Sequence, residues 1–299
     1  MKSNIIHLDQ ENLSSYSIAI GFFDGLHLGH QALFKEVLKG TGIPSILTFT
    51  RNEKERTKNS PLLILGEKER NQLLQLFQIE QEFILPFTEE LMHLSYQDFI
   101  SFLKRLHPKD IVVGDDFCFG YQAKGRATDL LVLEQEGIHI HIVNIIESLG
   151  KKISTSQIKE EIQNGNIKLV NQELGYPYFL QGEVIHGLQN GKKLGFPTAN
   201  IQLDPKRVKL KDGVYKTRTI IEGKEYPSMS NIGNHPTISE LDESILETHI
   251  IGFDQDIYGK EIQVYFDDFI REQTKFSTKE ALIEQLNQDL KKCKKKEAD

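Results

Sequence analysis

The stretch Ile18-Ala19-Ile20-Gly21-Phe22-Phe23-Asp24-Gly25-Leu26-His27-Leu28-Gly29-His30 runs from an apolar segment through a glycine-rich turn into the helix-like residues Gln31 to Lys39. Glycines in such a turn let the backbone approach a ligand closely. The first turn of the helix that follows offers unpaired N–H groups to an anion. His27 and His30 stand three apart, so once the helix has begun both rings point to one side. Two imidazoles there can donate to phosphate-like oxygens as charge builds during a transfer. An isolated His-x-Gly-His is more simply a turn with two exposed histidines. The strand–turn–helix setting and the preceding Phe-Asp-Gly favour the anion site.

The rhythm of the front half supports that setting. The apolar runs Ile18 to Ile20, Ile43 to Phe49, Phe83 to Leu85, Ile111 to Val113 and Ile138 to Ile146 alternate with helix-like stretches. Those stretches are Gln31 to Lys39, Glu67 to Phe77, Ser95 to Leu106 and Thr128 to Glu136. Ser95 with Asp98 three residues on reads as a helix start, with Phe99, Phe102, Leu103 and Leu106 on one face. Strands separated by helices predict βαβ units and a parallel sheet, with the ligand beyond the carboxyl ends of the strands.

After Leu174 the period changes. From Phe179 to about Ile270 short alternating runs, such as Tyr215 to Ile220 and Ile262 to Phe266, are separated by Gly187, Asn190-Gly191, Asp212-Gly213, Glu222-Gly223, Asn234 and Asp254. That pattern predicts a small antiparallel barrel. A closing helix follows, with Ser277 and Glu280 as its expected start and Leu282, Ile283, Leu286 and Leu290 as its stripe. Ser156 to Leu174 reads as two short bridging helices. The expected division is residues 1–155, a helical linker over 156–178, and the barrel domain over 179–299.

Composition bounds the function. With 299 residues, 38% hydrophobic and 26% charged, the chain has room for two folded domains. Its net charge of −7 (36 basic against 43 acidic residues) argues against nucleic acid as a partner. The cysteines, Cys118 and Cys293, are too few and too distant for a disulfide framework, and no Cys/His cluster has zinc spacing. No apolar region follows Met1-Lys2-Ser3-Asn4. Nor does any apolar run reach the ~18 residues of a spanning helix. The expectation is a cytoplasmic protein with no membrane partner; oligomeric state stays open.

A second glycine-rich cluster lies at Gly182 to Asn200. It is not a Walker loop, because the glycine spacing is one residue short and no Ser or Thr follows the lysine. What remains is a hairpin leading into Pro197-Thr198-Ala199-Asn200. Thr198 and Asn200, two apart on extended chain, face one side and suit Mg²⁺ and phosphate oxygens, although for this motif taken alone a Thr and an Asn satisfying a turn is the simpler reading.

The front motif resembles the His-x-Gly-His nucleotidyltransferases, and its Gly-x-Phe-Asp-Gly form resembles the bacterial bifunctional riboflavin kinase/FAD synthetase family. The likeness continues through Gly114-Asp115-Asp116-Phe117-Cys118-Phe119-Gly120, with Gly125 after it, and reaches Lys159. In the back half, Pro197 to Asn200, Gly213-Val214-Tyr215, Asn231 to Thr237, Glu247-Thr248-His249-Ile250, Asp256 to Lys260 and Phe269 to Glu272 follow in the order of the riboflavin kinase barrel. The resemblance implies an α/β chain, a Rossmann-like nucleotidyltransferase domain followed by a small antiparallel barrel with a closing helix. It implies two reactions: riboflavin and ATP give FMN, then FMN and ATP give FAD and pyrophosphate. ATP is co-substrate and Mg²⁺ the cofactor; the ligands are riboflavin, FMN, FAD and ATP.

By that resemblance His27 and His30 are catalytic in adenylylation, with Gly21, Phe23, Asp24, Gly25, Ser154, Ser156 and Lys159 as further ATP contacts. Asp116, Phe117 and Phe119 contact FMN. In the kinase Glu247 is the base, Gly187, Gly195, Pro197, Thr198 and Asn200 bind ATP, Thr198 and Asn200 hold the metal, and Arg271 touches the flavin. Two places depart from the family pattern: Thr48-Phe49-Thr50-Arg51-Asn52-Glu53 stands for Thr-Phe-Asp-Pro-His-Pro, and Lys159 stands for an arginine. These leave two alternatives: a riboflavin kinase with a degenerate front domain, and a flavin-sensing regulatory protein.

Overall fold

The computed structural model describes residues 1–50, 62–144, 146–148, 150–187, 191, 194–234 and 244–294. The departures at Arg51 to Glu53 therefore lie outside the described residues, as do Leu188 to Asn190, Lys192, Lys193 and His235 to Thr237. The chain divides into two compact units, Met1–Pro61 with Arg70–Ser154 and Leu62–Glu69 with Thr155–Asp299.

The strands of the first unit are β1 (Lys2–Ile5), β2 (Tyr16–Ile20), β3 (Ile43–Thr50), β4 (Gln81–Pro86), β5 (Asp110–Gly114), the short pair β6 (Cys118–Phe119) and β7 (Gly125–Arg126), β8 (His139–Val143), and the pair β9 (Glu147–Ser148) and β10 (Lys151–Lys152). Six of them form one parallel sheet in the order β1-β4-β3-β2-β5-β8. Helices α1 (Leu28–Val37), α2 (Glu67–Leu76), α3 (Glu89–His93) and α4 (Tyr96–Leu106) connect the strands. Helix α4 starts where Ser95 Oγ accepts from Asp98 N at 3.1 Å. It stops at His107, which takes left-handed dihedrals. Its face Phe99, Phe102, Leu103 and Leu106 is buried against Ile18, Ile20, Leu47, Phe83, Ile111 and Val113.

Three details differ from the sequence reading. Strand β1 pairs with β4 at the sheet margin. All its side chains are exposed, so no apolar period announces it. Helix α1 begins at Leu28 rather than Gln31, because Leu28-Gly29-His30 already form its first turn. The expected helix over Thr128 to Glu136 is a 3-10 helix over Ala127–Glu136.

In the second unit α5 (Thr155–Asn164) and α6 (Ile167–Leu174) precede β11 (Phe179–Ile185), β12 (Ala199–Gln202), β13 (Gly213–Ile221), β14 (Lys224–Asn234), β15 (Ser244–Ile250) and β16 (Glu261–Arg271). These strands close an antiparallel barrel in the order β11-β12-β15-β14-β13-β16. Strand β13 shows why it closes: Tyr215, Thr217, Thr219 and Ile221 are buried while Lys216, Arg218 and Ile220 between them are only partly covered. Buried hydroxyls satisfy one another inside, Thr219 to Ser228 at 2.8 Å, Ser228 to Thr217 at 2.8 Å, Thr217 to Ser230 at 2.8 Å and Ser230 to Thr248 at 2.9 Å.

The closing helix covers Lys279–Lys294. Its start is capped by Thr278, whose Oγ1 accepts from Ala281 N at 3.2 Å, and not by Ser277. Leu286 and Cys293 pack on Val214 and Met229, and Asp289 is fully buried; the barrel-facing stripe is thus shifted from the apolar one expected. Burial raises the Cys293 thiol pKa to about 12.

Leu62–Glu69 belongs to this second unit despite its place in the chain. Leu63 bridges to Arg207 in parallel, with Leu63 N donating to Lys206 O and Val208 N to Leu63 O, each at 2.9 Å. Arg207, 9% exposed, forms a close ion pair with Glu69, 3% exposed. Its Nη2 donates to Ile64 O at 2.7 Å, and Glu69 Oε1 accepts from Gln181 N at 3.1 Å.

Candidate active sites

In the first unit the site forms where β2 ends. Ile18 to Ile20 are locked into the sheet centre, so the chain must leave at Gly21 and turn sharply into α1. The turn is tight: Phe23, Gly25 and Leu26 all have positive φ, at 50°, 81° and 43°. Backbone strain of this kind persists only where surroundings hold it. Here Phe23 and Leu26 are fully buried. Gln31 Nε2 donates to Leu26 O at 2.9 Å and Thr48 Oγ1 to Phe22 O at 3.2 Å.

The turn delivers His27 to the N-cap of α1 and His30 to its first turn. Their rings stack with centroids 3.8 Å apart and an interplanar angle of 19°. The Nδ1 atoms of both are buried and have no hydrogen-bond partner among the described residues. Such atoms are costly to leave unmatched, so the pair is built to meet a ligand. Burial, and then the nearby Lys152, lower the His27 pKa to about 4, against the pull of Asp116. Burial, His27 and Arg70 hold His30 well below its usual value. Both rings are therefore neutral at pH 7 without ligand, and each acts as an N–H donor rather than as a cation.

Gly29 leaves room for the His27 ring, whose Cε1 would lie 3.1 Å from an added Cβ. Beyond β5, Asp116 is exposed and forms a close ion pair with Lys152. Phe117 stacks on Phe119 at 5.6 Å, and Phe119 is 6% exposed against Phe99. Arg70 Nε donates to Phe23 O at 3.4 Å while its Nη1 pairs with Glu82 at 2.5 Å. Sequence reasoning missed Arg70, one of two basic residues in the polar helix α2, with no motif around it. Ser154 closes the first unit, half-buried, whereas Ser156 and Lys159 lie one turn apart on α5 of the second unit.

In the barrel, strand register assembles the second site. Asn200 on β12 stands opposite Glu247 on β15, and Glu247 stands opposite Asn231 on β14. Leu246, Thr248 and Ile250 point into the barrel, so Glu247 lies on the other, half-covered face. Asn200 is 5% exposed and lies against Gly187, where an added Cβ would come within 2.7 Å of its Cγ. Gly195 has φ 85° and turns the chain into Pro197 and Thr198. Pro197 O is 2.8 Å from His249 Nδ1, which ties the Pro-Thr-Ala-Asn segment to the Glu247 strand. Thr198 and Asn200 bear oxygen donors of the kind a hard cation such as Mg²⁺ takes, and the space beside Asn200 is one that only a glycine at 187 leaves open. Asn231 was in a quoted motif but had no assigned role until register placed it. Arg271, at the end of β16, donates from Nε to the fully buried Asp289 at 2.8 Å and from Nη1 to Glu272 O at 3.0 Å.

The family model for FAD synthetase matches residues 9–157, and the one for riboflavin kinase matches residues 174–296. The bifunctional riboflavin kinase/FMN adenylyltransferase of Listeria monocytogenes is 33% identical over 91% of this chain and 89% of its own length. The protein of that name from Escherichia coli is 31% identical over 95% and 94%. A crystal structure from Streptococcus pneumoniae, described as a macrolide-efflux protein, has the same fold with a TM-score of 0.85, 32% identity and 97% coverage of both chains. Among the described residues no helix is long and apolar enough to cross a membrane.

Proposed function

The chain belongs to the bifunctional riboflavin kinase/FMN adenylyltransferase family, and on that premise we propose which of its residues run the two reactions. In the barrel Glu247 takes the proton of the ribityl 5′-hydroxyl as that oxygen bonds the γ-phosphorus of ATP; the bond to the β-phosphate oxygen breaks, giving FMN and ADP. Thr198 and Asn200 would hold Mg²⁺, which when bound neutralises phosphate charge. Gly187, Gly195 and Pro197 shape the loop around the nucleotide. Arg271 meets the flavin with the guanidinium edge that Asp289 and Glu272 leave over.

In the first unit a phosphate oxygen of FMN attacks the α-phosphorus of ATP and pyrophosphate leaves, giving FAD. His27 and His30 donate N–H groups to the α-phosphate oxygens. As negative charge develops they gain proton affinity, so donation strengthens toward the transition state. Gly21, Phe23, Asp24 and Gly25 fix the turn that aims them, and Asp116, held by Lys152, and Phe117 border the FMN side. Ser154, Ser156, Lys159 and Phe119 rest on the family resemblance alone.

We place the adenylyltransferase domain at 1–155, apart from Leu62–Glu69, which folds with the barrel unit, the helical segment at 156–178 and the kinase barrel at 179–299, in the cytoplasm where ATP is supplied. One observation carries the reading: each unit matches a different family model, at the residues where its own site geometry lies. The test is product analysis with purified protein, riboflavin, ATP and Mg²⁺. Wild type makes FMN and FAD. Glu247→Gln loses FMN formation by about 10²–10⁴-fold yet still converts supplied FMN to FAD. His30→Ala makes FMN but loses FAD by about 10²–10³-fold. A Glu247→Gln variant within a few-fold of wild type removes the base assignment.

A further inference from the structure

One aromatic surface in the first unit has no role in the assignments above. Phe22 is 61% exposed, although its neighbour Phe23 is fully buried. Its ring centroid lies 5.3 Å from Phe49 and 6.2 Å from Phe87, and the latter two are 6.5 Å apart and nearly perpendicular at 86°. Phe22 follows β2, Phe49 lies near the end of β3, and Phe87 directly follows β4. The three rings thus stand at the carboxyl ends of three adjacent parallel strands, the edge on which open α/β sheets bind ligands. The Thr48 hydroxyl holds the Phe22 carbonyl at 3.2 Å, so the backbone beneath the exposed ring is fixed in advance. Phe119, by contrast, is 6% exposed and packs against Phe99.

We propose that Phe22, backed by Phe49 and Phe87, is the platform for the dimethylbenzene end of the FMN ring system during adenylylation, and that it sets the preference for a flavin. This rests on the adenylyltransferase reading of the first unit. The reaction brings two flat heterocycles to this unit, adenine and isoalloxazine. Adenine carries nitrogen donors and acceptors around most of its rim, and three phenyl rings would leave those unmatched. The dimethylbenzene edge carries only carbon and loses nothing there, while gaining aromatic contact and burial of Phe22.

The test uses the full-length chain as wild type, Phe22→Ala and Phe22→Trp. FAD synthesis is measured with FMN and ATP varied separately, and FMN binding is measured by flavin fluorescence without ATP. Phe22→Ala should raise the KM and Kd for FMN about tenfold, the usual scale for losing one stacked ring. The KM for ATP and the riboflavin phosphorylation rate of the barrel stay at wild-type values, and Phe22→Trp restores FMN affinity. An FMN analogue without the two ring methyl groups should bind wild type more weakly and lose less than FMN does on going to Phe22→Ala. Unchanged FMN affinity in Phe22→Ala overturns the proposal. So does a rise in the KM for ATP instead, which would put adenine on the platform. A wild-type chain that makes no FAD refutes the adenylyltransferase reading itself; the binding titration needs no turnover and still decides for or against Phe22.

Discussion

Glu69→Gln should destabilise the barrel unit, although residue 69 lies far ahead of the barrel in the chain. The substitution removes the negative charge facing Arg207, which is 9% exposed and keeps Ile64 O as its nearest other acceptor, at 2.7 Å. Taking one partner from a buried pair costs about 3–5 kcal/mol, because the remaining charge stays desolvated. The glutamine carbonyl still accepts from Arg207 or Gln181 N, which argues for the lower end, about 3 kcal/mol. For a unit of this size each kcal/mol moves Tm by about 2–4 °C, so the expected fall is ~6–12 °C. Calorimetry on the full chain reads it, with the barrel transition identified by its upward shift when riboflavin and ADP are added. The double variant Glu69→Leu/Arg207→Met should regain most of the loss, since apolar replacements of a buried pair are often near neutral. A fall under ~2 °C, or an equal fall in the other transition, would refute the reasoning that Leu62–Glu69 is a working part of the barrel unit. A fragment cut near Gln157 forfeits this pair and should melt lower than the barrel of the intact chain.

Gly187→Ala pushes a methyl group into the Asn200 carboxamide; FMN formation should fall at least tenfold with a raised KM for ATP, while FAD synthesis from supplied FMN continues. His27 has a native pKa of about 4 against 6.5 when unfolded, so the unfolded chain binds the extra proton between those values. Stability of the first unit is therefore complete above about pH 6.5 and falls as pH drops toward 4, by up to about 3 kcal/mol. Urea unfolding at pH 7 and pH 5 checks this, and His27→Asn should flatten the difference.

Much of the fold and both motifs were legible in the residues themselves. The β2 turn and α1 follow from Gly21 to His30, and α4 from Ser95, Asp98 and its apolar face, because capping and amphipathic period act within a few residues. Strand β1 was not legible: at the sheet margin with every side chain exposed, it carries no alternation. The closing helix was half legible, since its period is real but its buried contacts are Asp289 and Cys293. Asp289 is buried because Arg271, from the end of β16, meets it, a pairing no local window contains.

The same division holds at the sites. Residue types and spacing determined that His27 and His30 share one face and that Thr198 and Asn200 bear oxygens on extended chain. Only tertiary structure decided that the two rings stack and are held neutral, because desolvation and the charges of Lys152 and Arg70 come from distant segments. Only register set Glu247 opposite Asn200 and Asn231. Only packing sent Phe119 into the core and left Phe22 outside it. Local sequence encodes what a residue and its near neighbours can do; pKa, partner and exposure depend on groups that folding brings from elsewhere in the chain.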